Sequence, residues 1–261
     1  MKYKVGFIGC GNMASAIIGG LKAHAGIDAS EIIAADASEA AREKAKETLS
    51  ICTTASNTEV STQADVLFLS VKPQYYETVI AEIQPTLPAG QIIVTIAPGK
   101  TLAWLGDVKI VRTMPNTPAL VGEGITGVCK NNLVTEDEFA YVLKLLSSFG
   151  LAEAIPESLM DAVVSVSGSS PAYVFLFIEA MADAAVADGM PRAQAYKFAA
   201  QAVLGSAKMV LETGKHPAEL KDMVCSPAGT TIEAVRVLEE KGFRGAVMDA
   251  MKACTAKAKG I

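Results

Sequence analysis

Gly9-Cys10-Gly11-Asn12-Met13-Ala14 is a G-x-G-x-x-A run between a short apolar strand signal, Val5-Gly-Phe-Ile8, and a helical pattern from 12 to about 24. A glycine pattern alone describes many ordinary turns. At a strand-to-helix joint each position has a physical use. Gly9 permits the tight turn, Gly11 lets the backbone approach a pyrophosphate, and Ala14 allows close helix–strand packing. The helix N-terminus then presents unpaired N–H groups and positive dipole charge to phosphates. The run predicts a dinucleotide-binding unit, which needs a parallel sheet around it.

The next residues supply that sheet. Asp65-Val-Leu-Phe-Leu-Ser70 and Gln91-Ile-Ile-Val-Thr-Ile96 are continuous apolar runs, as parallel strands covered on both faces require. Glu31-Ile-Ile-Ala-Ala35 reads as a second strand, 38–49 as a charged helix, and 73–83 as a crossover helix with Pro73 near its start. Lys109-Ile-Val-Arg-Thr113 and Thr126-Gly-Val-Cys129 add strand candidates. Thr135-Glu-Asp-Glu138 is a T-x-x-E capping box opening a helix to about Phe149. This alternation predicts a doubly wound α/β sheet. After about 155 only helices are read, punctuated by Gly189-Met-Pro191 and Gly214-Lys-His-Pro217. We expect a Rossmann-type dinucleotide-binding domain at 1–155 and an all-α substrate-binding and dimerisation domain at 156–261. Alanine marks the same change, with 23 among the last 111 residues against 19 among the first 150. Small side chains on uncharged helix faces favour close helix approach, and such a half needs a partner subunit to complete its core.

A mean hydropathy of +0.32 raises the question of a membrane. Aromatics at 6% show that the apolarity lies in small side chains, and polar groups interrupt every apolar run. The richest run, 172–178, meets Glu179 at once, short of the roughly 20 residues a span requires. Neither a membrane partner nor a signal peptide is expected. A net charge of −5 without a basic stripe speaks against nucleic acid. Five cysteines without a CxxC pair, and the distant His24 and His216, speak against a metal site and fit a reducing cytoplasm. Cys10 reads either as an alkylatable thiol or as a small buried residue.

Asp36 ends the second strand, 25 residues past Gly11, where a carboxylate accepts hydrogen bonds from a ribose 2′-hydroxyl. It repels a 2′-phosphate, which Arg42 could offset. Asp36 as a plain helix cap is the other reading. NAD(H) and NADP(H) both stay open.

Phe7-Ile-Gly-Cys-Gly-Asn-Met-Ala14, Ser70-Val-Lys-Pro-Gln74, Arg112-Thr-Met-Pro-Asn-Thr-Pro118, Gly168-Ser-Ser-Pro-Ala-Tyr173 and Asp222-Met-Val-Cys-Ser-Pro-Ala-Gly-Thr-Thr231 together resemble pyrroline-5-carboxylate reductase, in order and at the family's spacing. The resemblance implies reduction of 1-pyrroline-5-carboxylate to L-proline, the last step of proline biosynthesis, with NADP(H) or NAD(H). It implies a homodimer through the helical domain and, in many members, larger assemblies of dimers. Carried over by position, Gly9, Gly11, Asn12 and Met13 hold the pyrophosphate. Asn57 lies near the adenine ribose, Val71 and Lys72 lie along the cofactor, and Ala97 and Asn116 reach the nicotinamide side. Each polar member has a plain alternative: Asn57 a helix cap, Lys72 a solvated lysine, Asn116 a turn residue. The chain departs from the family in Ser170, where a glycine is usual, and in Asp36-Ala37, where many members carry Asn-Arg.

Ser226-Pro-Ala-Gly229-Thr230-Thr231 precedes a helical run, so Ser226, Gly229, Thr230 and Thr231 offer N–H groups and hydroxyls to a substrate carboxylate. A side-chain cap by Ser226 or Thr230 is the alternative. The resemblance assigns Thr231 the hydrogen bond to the ring nitrogen of the imine. An imine arrives readily protonated and needs positioning more than a strong acid. A ketone needs a proton donor, usually His or Lys, and none lies between Lys144 and Lys197. That gap weighs against the rival reading, a β-hydroxyacid dehydrogenase with a catalytic lysine on the first long helix of its second domain. A non-catalytic NAD(P)-sensing protein is the alternative outside enzymes.

Overall fold

The protein is described by a computed structural model over residues 2–97, 99–104 and 106–260. Eight strands form one sheet: β1 (Tyr3–Ile8), β2 (Ile32–Ala35), β3 (Cys52–Thr54), β4 (Ala64–Leu69), β5 (Ile92–Thr95), β6 (Lys109–Met114), β7 (Gly124–Lys130) and β8 (Gly150–Ala154). Their order is β3-β2-β1-β4-β5-β6-β7-β8, and every neighbouring pair is parallel except β6 with β7. Connections leave the β1–β4 pair in opposite directions, which opens a crevice at the carboxyl ends of these strands.

The apolar runs become strands because both faces are covered. β2 and β5 are buried at every position. Alternate residues feed two layers. Val5, Phe7, Val66 and Phe68 enter one, with the Phe7 and Phe68 rings stacked at 4.9 Å. Ile8, Ile33, Leu67 and Leu69 enter the other. Helix α1 (Asn12–His24) buries Ala14, Ile17, Ile18 and Leu21 against the first layer. Around the sheet run α2 (Glu39–Leu49), α3 (Asn57–Gln63), α4 (Tyr76–Ile83) and α5 (Glu136–Leu146). The capping box at α5 forms in both directions: the Glu138 N–H donates to Thr135 Oγ1 at 3.3 Å, and the Thr135 N–H to Glu138 Oε2 at 2.9 Å.

β3, α3 and β8 were not foreseen in the sequence. β8 closes the sheet through one backbone contact that only glycine permits. Gly150 has φ +143°, and a Cβ there would lie 1.9 Å from the Gly124 carbonyl oxygen.

The chain divides into two compact units, one running to Ser169 and taking in the chain from Thr255, the other Ser170–Cys254. The contacts therefore change at 169/170, whereas the change of sequence grammar was read at 155/156. The first unit runs through α6 (Met160–Val163) into a π-helical turn, Val164–Gly168, where the Ser169 N–H donates to the Val164 carbonyl at 2.8 Å. The second holds α7 (Ser170–Ala187), α8 (Arg192–Thr213), α9 (Pro217–Val224), α10 (Thr230–Glu240) and most of α11 (Phe243–Ala258). α7 and α8 pack together and bury Ala182, Ala195 and Ala199. The apolar 172–178 run lies open in the single chain: Phe175 is 61% and Leu176 67% exposed. By length and composition the helical stretch Glu157–Ala187 is apolar enough to cross a membrane, although the 172–178 run within it is too short to do so.

Candidate active site

At the carboxyl ends of β1, β2 and β4 lies a cavity of about 500 Å³, bordered by Gly9, Gly11, Asp36, Asn57, Val71 and Lys72, with Ser70, Tyr75, Thr78 and Glu82. Gly9, at φ +103°, turns the chain out of β1, and a Cβ there would strike the Ser70 carbonyl at 2.7 Å. Gly11 is the N-cap of α1 and makes no side-chain cap bond. A Cβ on Gly11 meets no protein atom within 4 Å, so this backbone faces open space. The orphan N–H groups of the first turn of α1 follow directly.

Asp36 is not a helix cap. Ser38 caps α2, its Oγ accepting from the Ala41 N–H at 3.3 Å. The Asp36 carboxylate accepts from the Cys10 N–H at 2.8 Å and from the Ser38 N–H at 2.9 Å. An ionised carboxylate has about four acceptor sites, so capacity is left for a hydroxyl in the cavity. Arg42 turns inward, Nη1 donating to the Asp36 and Ala37 carbonyls at 2.7 and 3.2 Å. Asn57 is likewise no cap, since Ser56 caps α3. Its Nδ2 donates to Glu82 Oε2 at 2.8 Å across the cavity rim. Lys72 is exposed and has no ion pair among the described residues.

The Ser70 hydroxyl is buried with no hydrogen-bond partner among the described residues. A buried polar atom without a partner costs free energy, and this one borders the cavity. The open Gly11 backbone, the unpaired amides, the Asp36 carboxylate and the Ser70 hydroxyl are a donor and acceptor set that fits a dinucleotide.

Four residues expected at the cofactor do not line this cavity. Asn12 is exposed at the start of α1, and Met13 leans on the core. Ala97 is buried just past β5. The buried Asn116 amide is engaged at both ends: Nδ2 donates to the Ser167 carbonyl at 3.1 Å, and Oδ1 accepts from the Ile125 N–H at 2.9 Å. It ties the start of β7 to the π-helical turn. Cys10 is buried, and burial with the nearby Asp36 charge pushes its thiol up to about 12, so it is no reactive nucleophile. Among the described residues no group of three or more His, Cys, Asp or Glu could hold a metal ion.

In the second unit, residues 226–229 form a tight turn closed by the Gly229 N–H donating to the Ser226 carbonyl at 3.0 Å. Pro227 occupies its second position, and Ala228 is held in the left-handed region at φ +53°. Ser226 Oγ lies so near Gly229 that a Cβ there would be 2.3 Å from it. Gly229 is the N-cap of α10 and no side chain caps it, which removes Ser226 and Thr230 as caps. Ser226 and Thr230 are exposed and Thr231 half-buried.

Residues 157–261 match the family profile described as pyrroline-5-carboxylate reductase dimerisation, and 4–99 that of NADP oxidoreductase, coenzyme F420-dependent. The chain is 55% identical over 266 aligned residues to the pyrroline-5-carboxylate reductase of Escherichia coli, covering 100% of this chain and 99% of that one. It belongs to the pyrroline-5-carboxylate reductase family. The enzyme of Methanosarcina acetivorans is 41% identical, with 99% of this chain and 97% of the relative covered. The crystal structure of Plasmodium falciparum pyrroline carboxylate reductase with NADP bound superposes with a TM-score of 0.90 at 32% identity, over 100% of this chain and 98% of that one. As a family member the chain is an NAD(P)-dependent oxidoreductase acting on a C=N bond, reducing 1-pyrroline-5-carboxylate to L-proline at the end of proline biosynthesis.

Proposed function

We propose that this chain's own residues divide that reaction between the crevice of the sheet unit and the N-terminus of α10. The backbone at Gly9, Gly11, Asn12 and Met13 receives the pyrophosphate at the first turn of α1. Asp36 accepts the ribose hydroxyls, Asn57, Val71 and Lys72 border the adenosine half, and the chain at Ala97 and Asn116 borders the nicotinamide end. When bound, the reduced nicotinamide supplies a hydride to the imine carbon. Ser226, Gly229 and Thr230 direct N–H and O–H donors at the substrate carboxylate, where the dipole of α10 adds positive charge. The Thr231 hydroxyl hydrogen-bonds the ring nitrogen and fixes the ring while that nitrogen passes from iminium to amine. Positioning of this kind is sufficient because the iminium is already electrophilic.

The observation carrying this reading is the uncapped N-terminus of α10, where a close turn and two threonines leave more donors than a helix cap uses. Thr231→Ala is the test. We expect kcat/KM for pyrroline-5-carboxylate to fall about 100-fold, with NADPH affinity unchanged and Thr231→Ser restoring most of the rate. A wild-type rate in Thr231→Ala removes Thr231 from the site.

We further propose a homodimer through the helical unit, in the cytoplasm, without a nucleic-acid or membrane partner, and able to build larger assemblies of dimers. The open apolar faces of α7 and α8, with Phe175, Leu176, Phe198 and Leu211 all more than half exposed, support it. A stable, active monomer in sedimentation analysis overturns the dimer.

A further inference from the structure

The carboxyl ends of β4 and β5 are held apart by a side chain. The Ser70 N–H donates to the Ile8 carbonyl on the β1 side at 2.8 Å, so by strand alternation the Leu69 carbonyl faces β5. Leu69 pairs with Thr95, which makes the Ile96 N–H the next partner due to meet that carbonyl. The Tyr76 hydroxyl stands between them instead. The Ile96 N–H donates to it at 3.2 Å, and it donates to the Leu69 carbonyl at 2.6 Å. Tyr76 is fully buried at the start of α4, with its ring against Trp104 at a centroid separation of 5.5 Å. Burial raises its pKa well above the usual phenol range, so the hydroxyl keeps the proton it donates.

We infer that Tyr76 is a positioning residue for the cofactor, its hydroxyl an inserted rung that sets the width between β4 and β5. The segments released there are Ser70, Val71 and Lys72 on one side and Ile96 and Ala97 on the other. Only the first borders the cavity directly. The second reaches the nicotinamide end under the cofactor reading above, on which this inference rests. Two backbone groups that would close on each other are each satisfied at a fixed spread. The ring packs on Trp104, which belongs to neither strand.

Tyr76→Phe removes the rung and keeps the ring. We expect the NADPH dissociation constant, read by quenching of the single tryptophan, Trp104, to rise about ten-fold, and the Ile96 amide to exchange hydrogen faster. Gln91→Leu is the control at the other end of the sheet. It strips two comparable buried bonds, from Nε2 to the Ser61 and Ala64 carbonyls at 2.6 and 2.7 Å. It should lower the melting temperature and leave NADPH affinity unchanged. A folded Tyr76→Phe with wild-type NADPH affinity, or an equal affinity loss in Gln91→Leu, overturns the inference. Gly11→Val separates the two levels. If it weakens NADPH and Tyr76→Phe does not, the rung alone fails; if it leaves NADPH binding intact, the cofactor reading fails and the rung with it. In the wild type, an Ile96 amide that exchanges as fast as an unbonded one also overturns the rung, whatever the stability of the variant.

Discussion

The Asp36 carboxylate accepts the Cys10 backbone N–H at 2.8 Å, so the end of β2 holds the glycine fingerprint from its flank. Asp36 thus shapes the glycine loop as well as bordering the cavity, where the proposed cofactor pose puts the ribose. Asp36→Ala should weaken NADH binding by about 10- to 100-fold, the usual cost of hydrogen bonds to a charged group. NADPH should lose less, because the same change removes a carboxylate that repels a 2′-phosphate and leaves Arg42 nearby. Direct titration of both cofactors checks this. Equal losses would leave Asp36 only its part in the loop.

The Cys10 thiol, pushed up to about 12, is almost wholly protonated at pH 8. Iodoacetamide should therefore label the exposed Cys52 well before Cys10. Peptide mass spectrometry over a labelling time course reads the order. Comparable rates would contradict the burial of the fingerprint cysteine.

The Lys109 ammonium beside Glu138, together with the Thr135 N–H, holds the Glu138 carboxyl below its usual range. A depressed folded pKa stabilises the protein above the unfolded value and loses that contribution as pH falls through the folded one. Glu138→Gln keeps a capping oxygen but not the charge. Its melting temperature should lie below wild type at pH 7, and the gap should close below about pH 4.

Ala228 sits at φ +53°, where an L-residue with a Cβ is disfavoured by roughly 1–2 kcal/mol. Ala228→Gly relieves this cost and gives back about 0.5–1 kcal/mol to the unfolded chain. A small net gain in urea midpoint should follow. A fall would mean that the methyl group makes a contact worth more than the strain.

Most of the sheet was legible because β1, β2, β4 and β5 are buried on both faces, which forces unbroken apolar runs. β3 and β8 were not. No residue of either is fully buried, which leaves no apolar run to read, and their pairing comes from the strand beside them. The short, polar α3 was missed for the same reason. At the site, the fingerprint and Asp36 could be read from type and spacing. That Asn116 spends its amide on Ser167 and Ile125 depends on chain segments far apart in sequence. No pattern of residue types signals the Tyr76 bridge, which rests on where two strands end.

The open apolar faces of α7 and α8 carry a consequence for how this enzyme persists. Under the proposed dimer, covering those faces is a second-order event, so mass action enters every measure of robustness. Dilution becomes a denaturing condition alongside heat and urea. The exposed apolar faces of a lone chain's helices stay adhesive until a sister chain covers them. Abundance in the cell, as much as any internal contact, then decides how long the enzyme survives.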